Sequence, residues 1–407
     1  MRRSIPAVAV LAGLALTLTA CSSGDDTSSD DTTTAAAGDG STLTIWVDET
    51  RQAAVEAAAA DFTAETGTQV ETVLKNYDDI RTDFISQVPT GEGPDITVGA
   101  HDWLGELTSN GVVAPIELGD LADQFEDVAV EAFTQDGQVY GLPYAVENIA
   151  LIRNTDLAAD APTTWDEMIA AGQAAGTTYP VLIQTSEDGD PYTYYALQTS
   201  FGSSVFEQND DGSYSSTLAL GGENGEAFAA WLAAQGAAGT IDTAITYDIA
   251  LEAFKNGESP YIIGGPWMLD SFDGMNLAVS AIPSAGGEEA QPFAGVAGFY
   301  VSAQSDNALL ANDFLLNYMS TEDAQLALYE AGHRPPALIS AADTASEDPI
   351  TAGFREVGAD AVPMPSIPEM ASVWTYWGVT EAAIISGSQE PAAAWQKMVS
   401  DIQGAIG

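Results

Sequence analysis

The first third of the chain alternates apolar runs with segments that have apolar residues at helical spacing. Short apolar runs at 43–47, 70–73 and 94–98 are typical of strands. Helical spacing appears between them, at 52–66 and 80–88, and a glycine follows the first of these segments. The order β-α-β-α-β predicts parallel strands that are joined by right-handed crossovers.

Polar and aromatic residues follow two of these strands. Asp-Glu-Thr-Arg at 48–51 comes directly after the first strand, and Gly-Ala-His-Asp-Trp at 99–103 follows the third. Ligands of such sheets bind beyond the carboxyl ends of the parallel strands. The pattern therefore predicts that both segments border a binding site.

The stretch 140–157 is a β-branched and apolar run that is interrupted by one carboxylate, Glu147, and leads into a turn signal at 154–156. Pro143 has no backbone N–H, which suits the start of a strand or a sheet edge. A carboxylate among Val146 and Ile149 is costly to bury without a partner. Two interpretations remain open: a strand whose one exposed position is Glu147, or a strand that crosses between two lobes with Glu147 facing a cleft.

Beyond residue 157 the alternation of apolar runs and helical patterns begins again. The predicted strands are 181–183, 261–263 and 293–302, and the last of them is a candidate for a second crossing. The predicted helices are 223–235, 247–255, 308–318 and 322–331. A chain of 407 residues is long enough for two or three domains, and the stretch 140–157 lies between the two α/β patterns.

The N-terminus has the pattern of a bacterial lipoprotein signal peptide. Arg2 and Arg3 precede an apolar stretch that is short for a bilayer span and ends in Leu-Thr-Ala-Cys. We predict a signal peptide at 1–21 with a lipid on Cys21, the only cysteine, and a disordered tether at 22–41. The protein is then extracytoplasmic, and its lipid anchors it to the outer face of the cell membrane.

The net charge of −50 arises from 60 acidic and 10 basic residues. Such a charge disfavours nucleic acids and anionic membrane surfaces as partners. It favours neutral or cationic ligands. Contact with the membrane is therefore expected only through the lipid anchor.

Motifs of common enzyme chemistry are missing from the sequence. It contains no GxGxxG, GxxxxGK[ST], HExxH or GxSxG pattern, and His101 and His333 are the only histidines. Pairs of carboxylates arise by chance among 60 acids, so none of them indicates a glycosidase. His101 is expected to be a satisfied polar residue or a cap, and no catalytic residue or metal site is predicted.

Aromatic residues lie at many of the predicted strand ends and helix starts. Any one of them is more typical of a core than of a binding site, because large aromatic side chains dominate cores. Carbohydrate recognition, however, requires flat rings and carboxylates together, and micromolar binding, about 8 kcal/mol, needs several such contacts. The residues are Trp46, Trp103, Tyr144, Tyr192, Tyr194, Trp267, Trp374, Tyr376 and Trp377.

Residues 42–407 resemble the bacterial extracellular solute-binding proteins for sugars and, within them, the maltose/maltodextrin-binding proteins. The resemblance rests on LTIWVDETR, GEGPDITVGAHDWLGEL, YGLPYAVENIALIRNTDL, PTTWDEM, AFKNGESPYIIGGPW, PFAGVAGFYVSA and PMPSIPEMASVW, in this order. It implies an α/β, two-lobed periplasmic-binding-protein fold (type II). Each lobe is then a mostly parallel sheet flanked by helices, with the ligand cleft at the hinge.

The resemblance also implies a function. The protein would be a monomeric receptor that closes over an α-glucoside and docks to the transmembrane subunits of an ABC importer, without catalysis or cofactor. Family positions that contact sugar match Asp102, Glu147, Tyr192, Trp267 and Trp374. Arg51 matches a basic contact position of the family, and Asp190 matches an acidic one. Asp48 matches a polar contact position, and Met364 matches an apolar one.

Four positions depart from the family pattern. Gly99 stands where the family has a ligand-stacking tryptophan, and Trp103 where it has an arginine. Thr50 replaces an acidic residue and Gly378 an arginine. We expect a rearranged aromatic platform, with Trp103 or Trp377 in place of the missing ring. The sugar stays open between maltodextrin, trehalose, a cyclodextrin, another oligosaccharide and a polyol, and a glycoside hydrolase is the remote alternative.

The resemblance also sets the expected domain boundaries. The N-terminal lobe is expected at 42–146 and 298–345, and the C-terminal lobe at 149–294 and 350–407. The hinge crossings are expected near 145–148, 295–298 and 346–350.

Overall fold

A computed structural model describes residues 42–209 and 214–407. The predicted signal peptide, the lipidated Cys21 and the predicted tether lie outside these residues. None of the helices in the described part is long and apolar enough to cross a membrane.

Strands and helices alternate along the described chain. The strands are β1 (Thr42–Val47), β2 (Gln69–Leu74), β3 (Ile96–Ala100), β4 (Val113–Ala114), β5 (Thr134–Gln135), β6 (Gln138–Val139), β7 (Gly141–Asn148), β8 (Ala150–Asn154), β9 (Leu182–Ile183), β10 (Phe206–Gln208), β11 (Tyr214–Leu218), β12 (Tyr261–Gly264), β13 (Leu277–Ser280), β14 (Phe293–Ser302) and β15 (Val362–Pro363).

The helices are α1 (Glu49–Thr66), α2 (Tyr77–Gln87), α3 (Leu104–Ser109), α4 (Asp127–Ala132), α5 (Trp165–Ala175), α6 (Pro191–Thr199), α7 (Gly222–Ala238), α8 (Tyr247–Lys255), α9 (Ala308–Phe314), α10 (Glu322–Gly332), α11 (Ile339–Ala345), α12 (Pro349–Gly358), α13 (Met370–Ile385) and α14 (Pro391–Ile406). Short 3₁₀ helices cover Val88–Thr90, His101–Trp103, Gly119–Gln124 and Pro266–Phe272, and a π-helix covers Leu315–Met319.

Two of these helices show how local chemistry sets their bounds. Helix α1 begins earlier than the predicted 52–66, because the Asp48 carboxylate caps it by accepting from the backbone N–H groups of Thr50 and Arg51. The predicted helix 308–318 ends as α9 at Phe314, and the chain continues as the π-helix. Helix α8 has the predicted bounds.

The larger sheet has the strand order β15-β14-β3-β1-β2, and β4 and β7 also pair with β14. Strand β1 runs parallel to β2 and β3, which confirms the predicted β-α-β-α-β unit. Strand β14 has the bounds predicted for 293–302, and it runs antiparallel to β3 and β7. The carboxyl ends of β1 and β3 therefore lie at one edge of this sheet.

The smaller sheet has the order β13-β8-β12-β9. Strand β8 runs antiparallel to both of its neighbours, and β12 runs parallel to β9. The stretch 140–157 thus forms two consecutive strands rather than one, because β7 belongs to the larger sheet and β8 to the smaller one. Ile149 is the residue between them.

Each sheet has its own hydrophobic core, so the described chain has two lobes. The core around the larger sheet draws its buried side chains from 43–145 and 296–341. The clusters around the smaller sheet draw theirs from 149–293, 354–357 and 364–402.

Candidate functional site

The segment after β1 forms one wall of a cavity. Asp48, besides capping α1, forms a buried ion pair with Arg51. The Arg51 Nε–H donates to the hydroxyl of Tyr144. The guanidinium carbon of Arg51 lies 4.8 Å from the ring centroid of Tyr77 and 5.5 Å from that of Tyr144. These contacts hold Arg51 between two aromatic rings at the edge of the sheet.

The cavity beside Arg51 has a volume of about 560 Å³. This is within the range typical of small-molecule sites, about 300–1,000 Å³. Its lining consists of Asp48, Glu49, Thr50, Arg51, Leu74, Lys75, Asn76, Tyr77 and Arg334.

The ring of Trp103 lies on the backbone of Gly99. A Cβ atom added to Gly99 would be 2.7 Å from Cε3 of Trp103 and 3.0 Å from the ring of Tyr300. The ring of Trp103 also packs on Tyr77, with 5.3 Å between the centroids, and the side chain is 8% exposed. Trp103 therefore fills the space above Gly99 from a position four residues further along the chain.

This packing predicts that Gly99→Ala lowers the free energy of unfolding by about 1–2 kcal/mol, because the added methyl group overpacks the ring of Trp103. Urea denaturation measures the change. Gly404→Ala is the matched control, since a Cβ there meets no atom within 4 Å. Equal stability of the Gly99→Ala variant and the unaltered chain would contradict the contact.

Glu147 has a charged partner that the sequence did not reveal. Its Oε2 accepts a hydrogen bond of 2.6 Å from Nε of Arg334. The two side chains are 20% and 14% exposed, so the pair is largely removed from solvent. The guanidinium carbon of Arg334 lies 5.7 Å from the ring centroid of Trp267. The pair explains how a carboxylate is tolerated in the apolar strand β7.

Tyr192 and Trp267 belong to the C-terminal lobe and lie close to the ion pair of Glu147 and Arg334. The centroids of their rings are 6.2 Å apart. The Tyr192 hydroxyl is buried without a hydrogen-bond partner among the described residues, and a Cβ on Gly295 would be 2.9 Å from it. Burial and then the nearby charges of Glu147 and Asp102 raise the pKa of Tyr192 well above 10.0, so this hydroxyl keeps its proton.

Asp102 and Trp374 meet across the two lobes. Asp102 lies in the 3₁₀ helix after β3, and Trp374 lies on α13. Burial raises the pKa of Asp102, while His101, Arg81 and a hydrogen bond with Trp374 act in the opposite direction. The aromatic and acidic residues predicted at Asp102, Glu147, Tyr192, Trp267 and Trp374 thus converge at the junction of the lobes.

Three of the predicted residues, Trp377, Asp190 and Met364, lie in the core or at a helix end. Trp377 has no exposed surface and packs edge-on against Tyr195 and Phe293, so it cannot serve as the replacement platform in this conformation. It lies one turn after Trp374 on α13, and the two rings stack at 5.6 Å with Trp377 on the core side. Asp190 caps α6, and Met364 is a buried residue of the C-terminal core.

His101 is a satisfied polar residue. Nδ1 accepts a hydrogen bond of 3.0 Å from the backbone N–H of Val296, and Nε2 lies 2.9 Å from the carbonyl oxygen of Met364. The acceptor role of Nδ1 fixes the proton on Nε2. Burial lowers the pKa of His101, in agreement with this neutral form. No cluster of metal-ligating side chains occurs within 42–209 or 214–407.

Glu381 is a buried acid on α13, one turn after Trp377. It is fully buried, and neither carboxyl oxygen has a hydrogen-bond partner within the described part of the chain. Burial and then the charge of Asp190 raise its pKa well above 4.5, against an interaction with Trp377. The folded chain therefore holds Glu381 in its neutral form to higher pH than the unfolded chain does.

This shift predicts a pH-dependent gain in stability for Glu381→Gln. The stability that neutral Glu381 contributes is present below its unfolded pKa and is lost as the pH rises towards the raised folded pKa. Because glutamine stays neutral, the unfolding free energy of Glu381→Gln relative to the unaltered chain should increase as the pH rises above 4.5. Urea denaturation between pH 4 and 8 measures the difference. The exposed Glu356→Gln is the control, and a pH-independent difference for Glu381→Gln would contradict the shift.

Comparisons with known proteins agree with this architecture. The family model of the bacterial extracellular solute-binding proteins matches residues 57–353. The maltodextrin-binding protein of Bacillus subtilis (strain 168) is 30% identical, over 89% of this chain and 88% of the relative. The galactooligosaccharide-binding protein of the same organism is 26% identical, over 97% and 95%. The Thermus thermophilus maltotriose binding protein, solved with maltotriose, is 31% identical with a TM-score of 0.81, over 90% of this chain and 100% of that chain.

These matches confirm the two-lobed α/β solute-binding fold predicted from the sequence. They also confirm a binding protein rather than an enzyme, since the matched proteins are named for binding. The family match covers most of the chain and both lobes. This chain belongs to the bacterial extracellular solute-binding proteins.

Proposed function

We propose that this chain is the sugar receptor of an ABC importer and that it captures a neutral α-glucoside of the maltodextrin type. The observation that carries the proposal is the meeting of a carboxylate, a guanidinium and aromatic rings at the junction of the lobes, namely Glu147, Arg334, Trp267 and Tyr192. Carboxylates accept hydrogen bonds from sugar hydroxyls, guanidinium groups donate to them, and aromatic rings pack on the apolar faces of sugars. The relatives named for maltodextrin and maltotriose support this choice of sugar.

Capture by closure of the lobes is part of the proposal. A saccharide that touches both lobes binds the closed state better than the open one, and this difference drives closure. We place the hinges near 145–148, 295–298 and 346–350, with the lobe boundaries given above. The change of hydrophobic core from Ala145 to Ile149, and from Phe293 to Val296, supports the first two hinges.

The proposed anchor is a lipid on Cys21, and the proposed partners are the transmembrane subunits of the importer, with the receptor acting as a monomer. A relative in Streptococcus pneumoniae is named a maltooligosaccharide ABC transporter solute-binding lipoprotein, which supports both the anchor and the transporter. Mass spectrometry of the membrane-bound protein tests the anchor: a diacylglyceryl group on an N-terminal cysteine is expected.

Calorimetric titration of maltose, maltotriose, trehalose, β-cyclodextrin and a galacto-oligosaccharide into the chain tests the substrate. We expect maltotriose to bind with a dissociation constant of about 1 μM or below, or about 8 kcal/mol. A receptor for galacto-oligosaccharides is the second candidate, because a relative that matches nearly the whole chain carries that name. Preference for the galacto-oligosaccharide would favour this candidate, and no heat from any saccharide would overturn the proposal.

A further inference from the structure

The backbone around Arg334 is fixed against β7. Helix α10 ends at Gly332, and His333 adopts a left-handed conformation with φ of 52°. The imidazole Nε2 of His333 lies 2.8 Å from the carboxylate of Asp270 on the other lobe. On the other side of Arg334, the carbonyl oxygen of Pro335 accepts a hydrogen bond of 2.9 Å from the backbone N–H of Val146. Arg334 is therefore held from both sides, next to the strand that carries Glu147.

The Arg334 side chain has unused donors. Its Nε–H donates to Glu147, but within 42–209 and 214–407 its Nη1 and Nη2 atoms donate no hydrogen bond. The side chain is 14% exposed and lines the cavity together with Asp48, Arg51 and Tyr77. Oε1 of Glu147 likewise accepts no hydrogen bond from the described residues. The ion pair thus presents free donors beside a free acceptor.

The opposite charges of Arg334 and Glu147 indicate that the ligand is neutral. Glu147 compensates the charge of Arg334 at 2.6 Å, so a ligand carboxylate or phosphate that reached Arg334 would also approach Glu147 and be repelled by it. Neutral hydroxyl groups avoid this repulsion, because a hydroxyl both donates and accepts. Two neighbouring hydroxyls of one sugar ring match a donor next to an acceptor.

We propose that Arg334 is a ligand-binding residue that determines specificity. Together with Glu147 it binds two adjacent, neutral hydroxyl groups of the ligand. One hydroxyl accepts from Nη of Arg334, and its neighbour donates to Oε1 of Glu147. The inference rests on the proposed function and adds to it a contact residue and a reason for preferring uncharged saccharides.

Titration of maltotriose into the Arg334→Met and Arg334→Lys variants tests the inference. Hydrogen bonds to charged groups contribute about 1.5–3 kcal/mol, so Arg334→Met should weaken binding about 10-fold or more. Arg334→Lys keeps a charge opposite Glu147 but lacks the guanidinium fork, and it should weaken binding less, although measurably. Arg355→Met is the matched control, because Arg355 pairs with Glu126 and Asp343 away from the cavity.

The outcomes separate the inference from the proposed function. If the unaltered chain binds maltotriose and Arg334→Met binds it equally well, the inference is wrong and the function stands. If Arg334→Met does not fold, the affinity of Arg334→Lys for maltotriose is compared instead, and an affinity equal to that of the unaltered chain shows that the inference is wrong. If Arg334→Met has no effect in a Glu147→Gln background, Arg334 acts only by positioning Glu147, which also overturns the inference. If the unaltered chain binds no saccharide, both proposals fall.

Discussion

Replacing Trp267 with alanine is expected to weaken maltotriose binding about 100-fold, which corresponds to about 3 kcal/mol, because tryptophans at the centre of a binding site are typical hot spots. The indole lies on the backbone of Gly265, where an added Cβ would be 2.2 Å from the ring. It also meets Tyr192 at 6.2 Å and the guanidinium of Arg334 at 5.7 Å. A ring held in this way offers a pre-oriented surface to a sugar. Calorimetric titration measures the loss.

A second tryptophan provides the control. Trp231 is also half-buried, but it packs on Trp165 and Phe228 within the C-terminal lobe. Trp231→Ala should lower the melting temperature and leave the affinity for maltotriose unchanged. Trp267→Ala should weaken binding and leave the melting temperature largely unchanged. A large loss of stability without loss of affinity in Trp267→Ala would make Trp267 a core residue only.

Replacing Glu147 with glutamine is expected to weaken maltotriose binding about 30-fold, or about 2 kcal/mol, because a hydrogen bond to a charged acceptor becomes one to a neutral amide. The amide oxygen still accepts from Arg334, so the fold should persist. The charge that balances the guanidinium is lost, however, and the selection against anionic sugars should weaken with it. Titration with maltotriose and with glucuronic acid measures both effects.

Glu126→Gln is the matched control for this change. Glu126 accepts a 2.8 Å hydrogen bond from Arg355, in another pair of arginine and glutamate that lies away from the cavity. This variant should bind maltotriose like the unaltered chain. Equal affinities for Glu126→Gln and Glu147→Gln would show that Glu147 does not touch the sugar.

Local patterns were sufficient to predict much of the fold. The spacing of Val55, Ala59 and Phe62 predicts α1, and all three are buried on one face of it. The apolar run 293–302 predicts β14 with its observed bounds, since all of its residues are buried. The stretch 140–157 was less informative, because an apolar run does not reveal that its two halves pair in different sheets.

Long-range pairing is what the sequence could not supply. Arg334 lies 187 positions from Glu147, and nothing in its surroundings marks it as the partner of that acid. The sequence signal was general: a carboxylate in an apolar strand requires a partner, and the chain has 10 basic residues among which to find one. The burial of Trp377 was likewise hidden, because helical position alone did not show which face of α13 meets the core.

A crystal structure of the chain with maltotriose shows most directly whether Arg334 and Glu147 bind the sugar. We expect one maltotriose between the lobes, with a glucose ring on the face of Trp267 and adjacent hydroxyls within 3.2 Å of Arg334 Nη and Glu147 Oε1, a normal hydrogen-bonding distance. Maltotriose bound elsewhere, or between the lobes without contact to either charged side chain, would contradict it.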